Sequence, residues 1–186
     1  MSVRHEEVEV AEERVVLLSD SGDPIGTELK SQVHHLRTPL HLAFSLYLFD
    51  ADDRLLLTRR ALGKRTWPGV WTNTCCGHPA PGEHLEDAVR RRVRQELGLE
   101  ITGLTCVLPD FAYTAVDASG VVENELCPVY RARTVHPYAD PAPNPAEVMD
   151  WKWGAWQDIV RAAAATPYVF SPWSVLQVDR LARATG

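Results

Sequence analysis

Glu123 and Glu125 flank Asn124 in a stretch that reads as a strand, where alternate side chains share a face about 7 Å apart along the backbone. Such a pair suits one hard cation. His34, His41 and His78 could add imidazoles, and a mixed nitrogen and oxygen set of this kind fits Mg2+ or Mn2+ while also admitting Zn2+. His5, His35, His84 and His136 read as surface or hydrogen-bonded histidines.

A second polar feature lies on a helix. Leu85, Val89, Val93 and Leu97 recur at helical spacing between Glu83 and Leu97, with Gly98 placed as a C-cap. At 100° per residue Glu96 falls in the middle of that apolar face, with Arg92 one turn earlier. A carboxylate there must be paired, protonated or bound to a metal, and a plain Glu96–Arg92 ion pair is the purely structural alternative. Gly77, Glu83 and the run Arg91-Arg-Val-Arg-Gln-Glu96-Leu-Gly98 resemble the Nudix box, a loop-helix-loop that holds divalent cations against a diphosphate. Arg92 and Gln95 stand where the hydrolase form of the box has carboxylates. Their replacement weakens the metal cluster that activates water for pyrophosphate cleavage.

Several elements must position these groups. Val15 to Leu18 reads as a strand, residues 19 to 24 as a turn, and Leu42 to Phe49 with Leu55 to Thr58 as a hairpin around Asp50–Asp53. Further strands are expected at Val121 to Arg133 and at Val148 to Trp153, separated by a stiff loop carrying Pro137, Pro141, Pro143 and Pro145. Ser171-Pro172 opens a C-terminal helix to about Ala184.

The 186 residues, 45% hydrophobic, suffice for one buried core, so one domain is expected over residues 14 to 186 after a flexible acidic tail over 1 to 13. A net charge of -6 offers no broad basic surface for nucleic acid, and no run of eighteen apolar residues could span a membrane. The acidic start lacks the basic and apolar stretches of a signal peptide, so a cytoplasmic protein is expected, with Cys75, Cys76, Cys106 and Cys127 as thiols. No organic cofactor and no obligatory protein partner are inferred.

The runs His41-Leu-Ala-Phe, Thr58-Arg-Arg-Ala, Trp67-Pro-Gly-Val-Trp-Thr-Asn, Cys76-Gly-His-Pro and Val122-Glu-Asn-Glu, with Cys127-Pro and Phe170-Ser-Pro-Trp, occur in one order from about Val15 to Arg180. In order and spacing they resemble the type I isopentenyl-diphosphate isomerases. The resemblance implies an α+β, Nudix-like mixed β-sheet with helices packed on both faces. It also implies one divalent metal on His34, His41, His78, Glu123 and Glu125, and a second Mg2+ held with the help of Glu96 on an isoprenoid diphosphate. Lys30, Arg60, Lys64 and Arg92 match the family's diphosphate contacts, and Trp173 matches its active-site tryptophan, able to support a carbocation through its ring face.

Moving a double bond through a tertiary carbocation needs one group to protonate the alkene and another to remove a proton from the neighbouring carbon. Cys76 is one candidate and Glu125 with Tyr113 the other, as the resemblance also implies. Glu125 and Tyr113 are expected to protonate isopentenyl diphosphate and Cys76 to take the second proton. Two rivals are a Nudix diphosphohydrolase, opposed by the altered box, and a noncatalytic diphosphate-binding module, opposed by the complete set of proton-transfer and ligand residues.

Overall fold

The computed structural model describes residues 12–184, so of the tail expected over 1 to 13 only Glu12 and Glu13 fall within it. The chain runs β1 (Arg14–Leu18), β2 (Pro24–Leu29), α1 (Lys30–Val33), β3 (His41–Leu42), β4 (Phe44–Phe49), β5 (Arg54–Arg60), β6 (Trp71–Thr72), β7 (Cys75–Gly77), α2 (Leu85–Leu97), β8 (Ile101–Leu108), β9 (Ala112–Val116), β10 (Val122–Leu126), β11 (Val129–Thr134), β12 (Val148–Ala155), α3 (Trp156–Ala165) and α4 (Pro172–Ala184). The strands form two sheets, ordered β2-β1-β3-β10-β9 and β12-β5-β4-β11-β8, with β6 added to β5 and β7 to β4.

β4 is buried along its whole length because both of its faces are covered. Phe44, Leu46 and Leu48 pack with Val89, Val93 and Leu97 of α2. Tyr47 and Phe49 pack with Ile159 and Ala163 of α3 and with Trp173 and Val178 of α4. Helices therefore lie on both faces of a mixed sheet, as the resemblance implied. α3, which no spacing argument marked, contains the strong helix-forming run Ala162 to Ala165.

Two expected elements take a different form. The single strand from Val121 to Arg133 is two strands, because Pro128 has no N–H to give to a ladder and the chain changes sheet at Cys127-Pro128. The neighbouring chain changes sheet at the same level: β3 pairs in parallel with β10 in one sheet and β4 with β11 in the other. The hairpin of β4 and β5 forms at its turn, where Asp50 Oδ1 accepts from the N–H of Asp52 and Arg54, but the two strands pair only at Phe49 and Leu55. They then splay. β7 pairs with β4 and β6 with β5, so the segment carrying Asn73, Cys76 and His78 enters the opening.

Glycine is required at two points near this segment. A Cβ on Gly77 would meet Arg92 Cγ at 3.0 Å and the Phe44 ring at 3.1 Å, so only glycine lets β7 pass so close to α2. Gly98 ends α2 in the left-handed region at φ 65°, its N–H bonded to the carbonyl of Arg94.

Candidate active site

His41 on β3, Glu125 on β10 and Tyr113 on β9 sit side by side across the first sheet, each in register with the next. Glu123, two residues before Glu125, shares its buried face, as the alternation requires. His34 follows α1 and His78 follows β7. The three imidazole centroids form a triangle with sides of 5.1, 5.6 and 5.1 Å. One ligand atom from each of His34, His41, His78 and Glu125 falls within 4.8 Å of all the others.

His41, Glu125 and Glu123 each have a supporting partner that leaves one atom for the centre. Pro39 O lies 3.0 Å from His41 Nδ1, which leaves Nε2 facing inward. Tyr113 donates to Glu125 Oε2 at 2.9 Å, while Oε1 lies 3.2 Å from His78 Nε2 and 3.5 Å from His41 Nε2. Thr66 donates to Glu123 Oε1 at 2.6 Å, and Glu123 Oε2 lies 3.0 Å from His34 Nε2. Nonetheless His34 Nε2, His41 Nε2 and Glu123 Oε2 are buried without a hydrogen-bond partner of acceptable geometry. Buried polar atoms left so cost about 1–3 kcal/mol each; His34 and His41 belong to the close group of four, which fits a divalent cation, whereas Glu123 is not among the four and meets the group through His34.

The electrostatics agree with that fit. Burial opposes charge on Glu125, yet His41 and His78 hold its carboxyl well below the usual range, so it is ionised. Burial drives His78 down to about 4, keeping it a neutral imidazole able to act as a ligand. For His41 burial pulls the same way, but Glu125 outweighs it and the value is raised.

His34, His78, Tyr113, Glu123 and Glu125 line a cavity of about 520 Å³ together with Lys30, Arg60, Lys64, Arg92, Cys76 and Trp173, and His41 is buried behind them. Trp173, 2% exposed in the first turn of α4, packs 5.4 Å from Trp67 and 5.6 Å from Tyr113, centroid to centroid, with the Arg60 guanidinium 5.5 Å from its ring centre. Cys76 accompanies them from β7. Burial pushes its thiol up to about 11 despite hydrogen bonds to Ser45 and Asn73, so it carries its proton near neutrality.

Arg60 donates to Thr66, whereas Lys30, Lys64 and Arg92 are held by carboxylates. Lys30 pairs with Glu13, Lys64 with Glu147, and Arg92 with Glu96 and, at 3.3 Å, with Glu147. Burial works against charge on Arg92, but Glu96 and Glu147 raise its pKa further. Glu96 is thus in an ion pair with Arg92. It lies apart from the His/Glu cluster and lines a small cavity of about 30 Å³ with Arg60, Lys64, Cys76 and Glu147.

Sequence reasoning missed Glu147, Thr66, Ser45 and Asn73, and Glu13, assigned to the tail, lines the cavity as well. Their roles come from contacts distant in the chain, and no periodicity marks them.

Residues 39–174 match the model of the NUDIX domain family. The chain is 60% identical over 173 residues to an isopentenyl-diphosphate Delta-isomerase of Frankia alni, covering 93% of this chain and 88% of that one. It is 61% identical over 172 residues to the enzyme of the same name from Mycolicibacterium vanbaalenii, covering 91% of each. The chain belongs to the isopentenyl-diphosphate Delta-isomerase family. Among solved structures it resembles a Deinococcus radiodurans protein (TM-score 0.62, 23% identity, 83% of this chain and 90% of that one) and a MutT protein of Methanosarcina mazei (TM-score 0.61, 18% identity, 79% and 96%). At such identities these show a shared fold. Arg92 and Glu96 lie on α2 and Glu83 just before it. The NUDIX match and the His/Glu cluster together point to use of a divalent metal.

Proposed function

We propose that the cavity interconverts isopentenyl diphosphate and dimethylallyl diphosphate by putting one proton on the alkene and removing another from the adjacent carbon, with Cys76 and the Glu125–Tyr113 pair as the two proton carriers. One observation carries this reading: a thiol, a carboxylate–phenol pair and a buried tryptophan share a cavity with five cationic side chains, Lys30, Arg60, Lys64, Arg65 and Arg92. Lys30, Arg60, Lys64 and Arg92 take the diphosphate, Arg92 by exchanging carboxylate partners for phosphate oxygens. The hydrocarbon end lies against Trp173, whose ring face stabilises positive charge while the walls exclude water.

Removing a proton with Cys76 first bare of its own, the order expected from the sequence, would need a thiolate when isopentenyl diphosphate arrives. Burial opposes that thiolate, whereas Glu125 is already ionised. We therefore assign the first transfer in this direction to the Cys76 thiol: the S–H bond breaks as a C–H bond forms and leaves a tertiary cation, and Glu125 then takes the neighbouring proton. Thiolate sulfur and protonated carboxyl are the state from which the reverse reaction starts. The sign follows from the thiol at about 11. Between pH 7 and 10, kcat/KM for isopentenyl diphosphate should stay level or fall; a tenfold rise per pH unit would show that a thiolate acts first.

His34, His41, His78, Glu123 and Glu125 would hold one Mg2+ or Mn2+, with Zn2+ also compatible with the donors, and Glu96 would assist a second Mg2+ on the diphosphate. Such cations supply charge neutralisation for the diphosphate and order the surrounding side chains. The four thiols are unpaired, which suits a reducing cytoplasm. Among the described residues, no helix is long and apolar enough to cross a membrane. A small isoprenoid diphosphate is then the sole partner the reading needs.

Incubation with isopentenyl diphosphate and Mg2+ in deuterated water tests the reading directly. Deuterium should enter dimethylallyl diphosphate, with negligible phosphate release because Arg92 and Gln95 replace carboxylates of the hydrolase box. Efficient phosphate release without isomer would move the protein to the hydrolase reading, and bound but unchanged substrate to the noncatalytic one.

A further inference from the structure

Behind Cys76, inside the otherwise apolar layer between β4 and α4, runs a chain of wholly buried polar groups that the reaction as described does not use. Ser45, Tyr47, Asn73 and Gln177 are all 0% exposed. Burying so many polar groups is costly unless each is satisfied, and here each is. The Tyr47 hydroxyl donates to Gln177 Oε1 at 3.1 Å, with the carbonyl of Ser174 farther off at 3.4 Å. At its other end the amide donates from Nε2 to Ser45 Oγ at 3.0 Å. With its oxygen accepting, Ser45 has its own proton to give, and its two other neighbours are Cys76 Sγ at 3.3 Å and Cys127 Sγ at 3.4 Å.

Asn73 meets the same sulfur from another direction. Its orientation is fixed, since Trp173 Nε1 can only donate and donates to Oδ1 at 3.1 Å, while the carbonyls of Leu46 and Cys75 can only accept and accept from Nδ2. Cys76 Sγ lies 3.2 Å from Nδ2 and 3.3 Å from Oδ1. The amide thus offers the sulfur an acceptor while it holds a proton and a donor once it does not. Through Oδ1 it also ties the sulfur's position to that of the Trp173 ring.

We propose that Ser45 and Asn73 are positioning residues that present Cys76 to the substrate, Ser45 being held as a donor to the sulfur by the buried chain through Gln177 and Tyr47. The proposal rests on Cys76 being a proton carrier. When the S–H bond breaks and the proton passes to carbon, Ser45 O–H and Asn73 N–H face the electron pair left on sulfur, and neither has to move. Neither residue is among those that line the cavity, so neither contributes to binding the diphosphate.

The test compares Ser45→Ala, Tyr47→Phe and Cys76→Ala by kcat and KM for isopentenyl diphosphate at saturating metal. Loss of a hydrogen bond to a charged sulfur should lower kcat about 10- to 100-fold in Ser45→Ala, with KM within about twofold. Tyr47→Phe frees the Gln177 amide to turn its oxygen towards Ser45, drawing the serine proton off the sulfur, and should lower kcat by a smaller factor at unchanged KM. It reads the same chain from its far end should Ser45→Ala not yield folded protein. Unchanged kcat in the folded variants, or a rise in KM matching any fall in kcat, overturns the proposal while Cys76→Ala is inactive. An active Cys76→Ala overturns instead the reading on which it rests.

Discussion

Cys76→Ala should lower turnover at least about 10³-fold, within the range by which a positioned acid or base accelerates a reaction, while binding of metal and isopentenyl diphosphate is retained. The sulfur is the only atom removed, and no proposed metal ligand or diphosphate contact goes with it. Cys75→Ala is the matched comparison. The two cysteines are neighbours on β7 and so point to opposite faces of the sheet. Cys75 joins the apolar cluster beneath α2, whereas Cys76 packs on the other side, towards Trp173, and lines the cavity. Cys75→Ala should therefore cost some stability and little turnover. Steady-state kinetics with a titration of isopentenyl diphosphate into each variant reads both quantities. A folded Cys76→Ala enzyme turning over near the unaltered rate would refute the assignment.

How much of this site could be read from the chain depends on the range of the contact that defines each residue. Glu123 and Glu125 declare themselves because a strand's period of two is local, and the Arg92–Glu96 pair because one helical turn is local. Thr66, by contrast, supports Glu123 from 57 residues away, and Glu147 reaches Lys64 from 83. Nothing in the neighbourhood of either residue announces the meeting. β6 and β7 are two and three residues long, too short for any alternation, although they deliver the segment carrying Asn73, Cys76 and His78 into the opening between β4 and β5. The family motifs did mark that segment, through Trp67-Pro-Gly-Val-Trp-Thr-Asn and Cys76-Gly-His-Pro. What they could not show is that Asn73 joins the sulfur to the Trp173 ring, since that depends on α4, a hundred residues later.

Removal of divalent metal should abolish isomerisation, and its return should restore it. The physical ground is the convergence of three imidazoles and a carboxylate with buried, unpartnered nitrogens, whose lone pairs a cation would satisfy. His41→Ala should weaken metal binding by more than about 100-fold, because even partners one step removed from a metal are worth 10- to 100-fold. His136→Ala should leave it unchanged, since His136 is exposed and outside the cluster. The pH dependence has a definite sign. Binding needs neutral imidazoles, and the pKa of His41 is raised by Glu125 while that of His78 is depressed to about 4. Affinity should therefore be full above the His41 value and fall first as His41 protonates, with His78 titrating only near pH 4. Calorimetric titration of Mn2+ into the metal-free protein across that range measures the affinity and the protons released together. Equal metal loss in the His41 and His136 variants, or full turnover after verified metal removal, would show that these histidines are not ligands.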